Sequence, residues 1–183
     1  MTEDRPAGEA EFYAFLEANG IGWRHHTHPA LHTVEESRAL RGQLPGAHVK
    51  NMFMKDTKGR IVLATCLEDR QIRIRDLERE IGARGLSFGK PELLWEVLGV
   101  RPGAVTPFGL MNDREHRVEV VLDRALEGQA VVNAHPLHNE ATTAISWDGL
   151  MRFLALTGHA PRLVDFDRLE ALERARAGAG CRG

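Results

Sequence analysis

Cysteine is nearly missing from this chain: Cys66 sits in an apolar stretch and Cys181 in a glycine-rich tail. Two thiols so placed support neither a disulfide framework nor a paired-cysteine metal site. No apolar run approaches the ~20 residues needed to cross a bilayer. The opening Met-Thr-Glu-Asp-Arg lacks the pattern of a secretory leader, so a cytoplasmic location is expected, with no membrane partner. Charge of one sign is not in excess either, since 24 basic against 26 acidic residues leave a net of −2. That balance argues against a protein that grips DNA or RNA by bulk electrostatics, while leaving room for a local basic face. Also absent are a GxSxG nucleophile elbow, a Walker phosphate loop and a cysteine in an evident histidine setting. An enzyme made from this sequence uses neither a covalent triad nor a P-loop.

What is present suits one soluble globular domain: 183 residues, 43% of them hydrophobic and 27% charged. Residues 8–19 carry Phe12, Phe15 and Leu16 at helical spacing ahead of Gly20, and a short strand follows over 21–26. Thr33 followed by Glu36 forms a capping box that predicts a helix over 34–41. A long apolar strand over 47–55, a turn containing Gly59 and a second strand over 61–66 read as a hairpin. Residues 71–74 alternate like a short strand, with a helix through Leu77 and Ile81 to Gly82. Pro91 opens a helix that Gly99 closes, and the prolines and glycines of 100–109 indicate a fixed loop. Strands are expected at 118–123, 130–135 and 141–145, then a helix from Trp147 to Leu156 capped by Ser146. Residues 163–166 read as an edge strand, and the chain from Asp167 as a charged helix that frays into Ala-Gly-Ala-Gly at 177–180. The fold class is α+β, one domain with a mixed, largely antiparallel sheet and helices packed around it.

Three groups of residues invite chemistry. Lys50 shares a strand face with Met52 and Met54, an apolar setting that is costly for an ammonium without a partner. The loop 103–107 offers backbone amides in a fixed geometry, and His135 ends a strand just before Pro136. The cluster His25, His26, His28 and His32 suggests a metal, but no Cys or acidic partner has ligand spacing nearby, and His25 and His26 leave a strand on opposite faces. The basic run from Arg70 to Lys90 reads either as a solvated helix face or as an RNA contact.

Taken in order, His48-Val49-Lys50-Asn51, then Phe88-Gly89, then residues 98–109 with Pro102-Gly103-Ala104-Val105-Thr106-Pro107, then His135-Pro136 resemble the bacterial prolyl-tRNA synthetase editing-domain superfamily. Its free-standing members include YbaK and the PrdX/ProX (ProXp-ala) type, and the likeness runs from about residue 23 to 158. The resemblance implies hydrolysis of the ester of mischarged tRNA, alanyl-tRNA(Pro) for the PrdX branch, without cofactor or metal. It implies an editing domain over 1–166 and a charged tail over 167–183. Lys50 is then the essential lysine that meets the tRNA 3′ end, Gly103 and its loop position the aminoacyl group, and His135 stands beside the pocket. Thr33, Asn51, Ala104, Val105, Thr106 and Pro107 are the implied substrate contacts, and strand parity with loop position adds Met52 and Met54, beside Val105, as candidates for the pocket wall. Arg70, Arg73, Arg79 and Lys90 become candidates for the acceptor stem. The implied partners are the acceptor end of tRNA(Pro) and prolyl-tRNA synthetase. Rival readings are a deacylase for cysteinyl-tRNA(Pro) or a seryl ester, a binding module without turnover, and a metalloenzyme built on the histidine cluster.

Overall fold

The structure is a computed structural model that describes residues 5–30, 36, 39 and 44–180. Thr33, His32 and most of the helix expected over 34–41 lie outside the described residues. Helix α1 (Glu9–Ala18) leads to β1 (Trp23–Thr27). The hairpin forms as β2 (Ala47–Lys55) and β3 (Ile61–Leu67). Its turn is tied by Asp56 Oδ1, which accepts the amides of Lys58 and Arg60 at 2.9 Å each. Next come α2 (Ile74–Ile81), β4 (Ser87–Phe88) and α3 (Pro91–Leu98). A 3-10 turn (Pro107–Asn112) precedes β5 (Val118–Asp123), β6 (Val132–Ala134) and β7 (Ala141–Ile145). The chain closes with α4 (Trp147–Leu156), β8 (Arg162–Val164) and α5 (Phe166–Gly180).

The strands join in one sheet of order β1-β7-β6-β2-β3-β5-β8, with β4 on β2. Pairings β1–β7, β6–β7, β2–β3 and β2–β4 are antiparallel; β2–β6, β3–β5 and β5–β8 are parallel. The sheet is mixed as expected, with more parallel pairing than a chain of hairpins would give.

Strand alternation divides the apolar residues between two cores. Phe53, Leu63, Val120 and Leu122 face one way and meet Phe12, Leu98, Phe108 and Phe153. Met52, Met54, Val62, Ala64, Cys66 and Val121 face the other way and meet Leu77, Ile81, Phe166 and Leu169. Both faces of the central strands are therefore covered, which explains why β3 reads as an unbroken apolar run.

Two expectations are corrected. Residues 71–73 are not a strand: α2 starts at Ile74, because Ile74, Leu77 and Ile81 form a helical apolar face that outweighs four residues of alternation. The helix expected from Asp167 is present, but it does not fray within Ala-Gly-Ala-Gly (177–180): α5 runs to Gly180. Phe166 and Leu169 are buried, and ion pairs Arg73–Glu173, Arg176–Asp76 and Arg168–Glu80 fix α5 against α2.

Candidate active site

The site grows from the middle of β2, where consecutive side chains serve different cores. Asn51 turns toward the loop 103–107: its Nδ2 donates to the Val105 carbonyl at 3.0 Å, and its Oδ1 accepts the Thr65 hydroxyl at 2.7 Å. Thr65 is fully buried, so the amide is held from both ends. Two further bonds fix the same loop. The Ala104 amide donates to Arg101 O at 3.0 Å, and the Thr106 hydroxyl accepts the Phe108 amide at 3.3 Å, capping the 3-10 turn. Gly103 has φ +89°, where a side chain is strained even though the space around it is open. Gly89, in the Phe-Gly pair, is glycine for a different reason: an added Cβ would lie 2.5 Å from the Phe53 ring.

The turn between β6 and β7 meets this loop. A Cβ on Gly103 would lie 4.0 Å from Asn139 Nδ2, which brings the loop and the His135–Pro136 turn together. The half-buried His135 places Nδ1 3.1 Å from the Ala141 carbonyl. A carbonyl only accepts, so Nδ1 carries the proton and Nε2 keeps its lone pair. Burial holds the His135 pKa below the ordinary 6.5, against the pull of that carbonyl, and His28 and His138 lower it further. His135 is thus a neutral acceptor at physiological pH.

Three further histidines, His25, His28 and His138, lie around this turn, a grouping that the sequence alone does not show. His28 stands 6.5 Å from His135, ring to ring, with Nδ1 on Pro29 O and Nε2 on the Thr142 hydroxyl at 3.0 Å. Glu140 N–H donates to His138 Nδ1, leaving Nε2–H to face Glu9 Oε1 at 3.2 Å. The same Glu9 oxygen lies 3.3 Å from His25 Nδ1. Tyr13 stacks on Trp23 and bonds the Thr143 hydroxyl and His25 Nδ1; burial pushes its pKa up to about 12. His25 and His26 do leave β1 on opposite faces, with His26 opening on a separate cleft of about 460 Å³ that includes Trp23 and Leu44. Glu9 and Tyr13 carried no motif; only their place on α1, a helix packed across the sheet, reveals them.

Several predicted contacts fall elsewhere. The half-buried Lys50 follows the Met52 and Met54 parity into the second core, where its Nζ donates to the Arg70 carbonyl. It does not face the loop 103–107, which lies on the Asn51 side of the strand. For the same reason Met52 and Met54 share no wall with Val105, which packs on the first core. The side chains of Thr106 and Pro107 are buried as loop supports, and Ala104 is nearly so, leaving Gly103 and the half-exposed Val105 at the surface. Arg70 is not an open tRNA contact. It is 7% exposed and its guanidinium meets Asp123, Asp167 and Glu170. Burial opposes its charge, but the three carboxylates outweigh this and raise its pKa. Arg73 pairs with Glu173 and the exposed Arg79 lies 3.7 Å from the buried Asp76, while Lys90 is exposed. The acids that neutralise this face come from β5 and α5, far along the sequence from the basic run.

A fixed loop of backbone donors beside a neutral histidine is an arrangement that can stabilise charge on an acyl oxygen without a protein nucleophile. The profile of the aminoacyl-tRNA editing domain matches residues 28–153, and the chain belongs to that family; it is a hydrolase of the aminoacyl-tRNA deacylase kind. It is 39% identical over 159 residues to prolyl-tRNA synthetase associated domain-containing protein 1 of Danio rerio, covering 86% of each chain. It is 34% identical over 139 residues to prolyl-tRNA editing protein ProX of Acetoanaerobium sticklandii, covering 75% of this chain and 85% of that one. Among solved structures, a protein described as a candidate trans-editing enzyme for prolyl tRNA synthetase superposes with a TM-score of 0.65 at 25% identity, over 87% of this chain and 96% of that one. No helix among the described residues is long and apolar enough to cross a membrane.

Proposed function

We propose that this chain is a trans-editing deacylase acting on mischarged tRNA(Pro), with alanyl-tRNA(Pro) as its substrate. The observation that carries the reading is the meeting of the pinned loop at Gly103 with the neutral His135 turn, within a chain of the editing family. The aminoacyl ester is already activated, so water can add to its carbonyl carbon without a protein nucleophile. The Gly103 and Val105 N–H groups stabilise the oxyanion, Ala104 N–H being held by Arg101 O, an effect worth about 3–4 kcal/mol per well-placed donor in other enzymes. The carbon–oxygen bond to the ribose then breaks, the ribose oxygen takes a proton, and the amino acid leaves. His135 Nε2 accepts a hydrogen bond from the attacking water or from a ribose hydroxyl, and only its neutral form does so.

Lys50 is the essential cation in this reading. It lies across β2 from the loop, so it serves phosphate oxygens of the tRNA 3′ end and not the ester itself: an ammonium has three donors, and Arg70 O takes one. Val105 limits the acyl group by size; small apolar differences discriminate weakly, which is why a separate hydrolytic step is needed. Arg79 and Lys90 contribute the exposed charge toward the acceptor stem, and tRNA binding weakens as salt rises.

The test is a panel of alanyl-, cysteinyl- and seryl-tRNA(Pro) with the native chain and Lys50→Ala. Release of alanine by the native chain and its loss in a folded Lys50→Ala protein are expected. Equal hydrolysis across the panel would remove the alanine assignment, and full activity in Lys50→Ala would remove the lysine. No release from any member would leave a tRNA- or synthetase-binding module.

A further inference from the structure

The acceptor of Lys50 is one half of a peptide unit whose other half is also engaged. Lys50 Nζ donates to the Arg70 carbonyl, and the next amide, Gln71 N–H, donates to Glu170 Oε1 at 2.9 Å. Carbonyl and amide of one trans peptide lie in a single plane and point in opposite directions. A carboxylate on one end and an ammonium on the other therefore hold that plane between them. Each bond polarises the other, because a carboxylate on the N–H makes the carbonyl a better acceptor. The second oxygen of Glu170 meets Arg70 Nη1 at 3.0 Å, so the same side chain grips the residue by its backbone and its guanidinium. Gln71 N–H is the leading cause of the lowered Glu170 pKa, with Arg70 adding to it, so the carboxylate form is the one in place.

We propose that Glu170, on the C-terminal helix, is a positioning residue for Lys50, acting through the Arg70–Gln71 peptide. It touches no substrate. It sets the direction of the carbonyl that receives the lysine, and so directs the donors left for the terminal nucleotide. This rests on the proposed role of Lys50, but the coupling itself is measurable apart from that role.

Two variants break the link at different atoms. Glu170→Ala removes the acceptor, and Gln71→Pro removes the hydrogen and sets a ring carbon against Glu170 Oε1, which pushes the carboxylate off the peptide while its charge stays near Arg70. Each is expected to lower kcat for deacylation by about tenfold, short of the ~100-fold that a 1 Å misplacement can cost, with KM changed less than about twofold. Glu170→Gln keeps an oxygen for Gln71 N–H and restores kcat to within about threefold. The double variant is no worse than either single one, since both remove the same bond. Arg168→Ala, which loosens α5 only through Glu80, leaves kcat unchanged.

The independent readout is the rate at which acetic anhydride modifies Lys50, followed by peptide mass analysis against exposed Lys55 and Lys58. That rate rises several-fold in Glu170→Ala and Gln71→Pro and returns in Glu170→Gln. An unchanged Lys50 rate in both variants overturns the proposal whatever the activity, as does a faster rate with unchanged kcat or an additive double variant. Should Glu170→Ala not fold, Gln71→Pro decides alone. Activity that persists in Lys50→Ala instead removes the deacylase role of the lysine, a separate failure.

Discussion

On its Asn51 face β2 meets neutral groups held by single hydrogen bonds, and on its Lys50 face it meets a lysine, a buried arginine and three carboxylates. The neutral face is rigid because a loop with a strained glycine is pinned by an amide whose own orientation is set by a buried hydroxyl. The charged face is rigid because the buried Arg70 and Asp123 pair with each other and Lys50 is held by a carbonyl, so removing one group leaves another stranded. Backbone N–H groups stabilise an oxyanion best where competing charges and water are few. A cation for an RNA 3′ end needs anchorage that does not cancel it, and a peptide carbonyl provides that. One strand keeps the two requirements apart by the alternation of its side chains.

The contrast breaks most visibly at Arg70. Arg70→Met leaves the fully buried Asp123 without its partner, and stability in urea should fall by about 3–5 kcal/mol. On the other face the effect moves from stability to rate. Gly103→Ala places a side chain at φ +89°, straining the loop by about 1–2 kcal/mol; the loop shift that relieves it should lower activity about tenfold in steady-state kinetics, with a stability loss no larger than that strain. Thr65→Val strips Asn51 Oδ1 of its donor for about 1 kcal/mol, and loop amides near Val105 should exchange hydrogen faster. A loss above 3 kcal/mol there would erase the distinction between the faces.

The smallest effect is a pH slope from His135. Its folded pKa lies below the ordinary 6.5, so between those two values the unfolded chain binds more protons than the folded one. Its contribution to stability is therefore level above 6.5 and falls as pH drops toward the folded value. Deacylation should hold through neutrality and fail only once pH drops below the folded pKa, itself under 6.5, as Nε2 gains its proton, and the slope should vanish in His135→Gln. An activity that rises on acidification would contradict the neutral acceptor.

Much of this was legible along the chain where local rules agree with packing. The strands at 118–123 and 141–145 and the Ser146-capped helix occupy their expected residues, because alternation and a capping hydroxyl, Ser146 Oγ on Gly149 N–H at 3.0 Å, need no distant partner. Pro91 and Gly99 bound α3 in the same way. Parity correctly placed Lys50 with Met52 and Met54 but did not say which core receives the loop 103–107; that depends on how α3 and the 3-10 turn pack on Phe53 and Leu98. The basic run looked open because its neutralising acids, Asp123, Asp167, Glu170 and Glu173, come from segments 50 or more residues away. Glu9 was invisible for a similar reason: α1 carries it across the sheet to His25 and His138.

The strut from Thr65 through Asn51 to Val105 has a practical consequence for anyone re-engineering the acyl preference. Substitutions that trim or extend Val105 can change the room offered to a side chain, because the strut grips that residue by its carbonyl and leaves its side chain at liberty. Changes to Asn51 or Thr65 would shift the floor on which the loop stands and would alter every acyl group's turnover together.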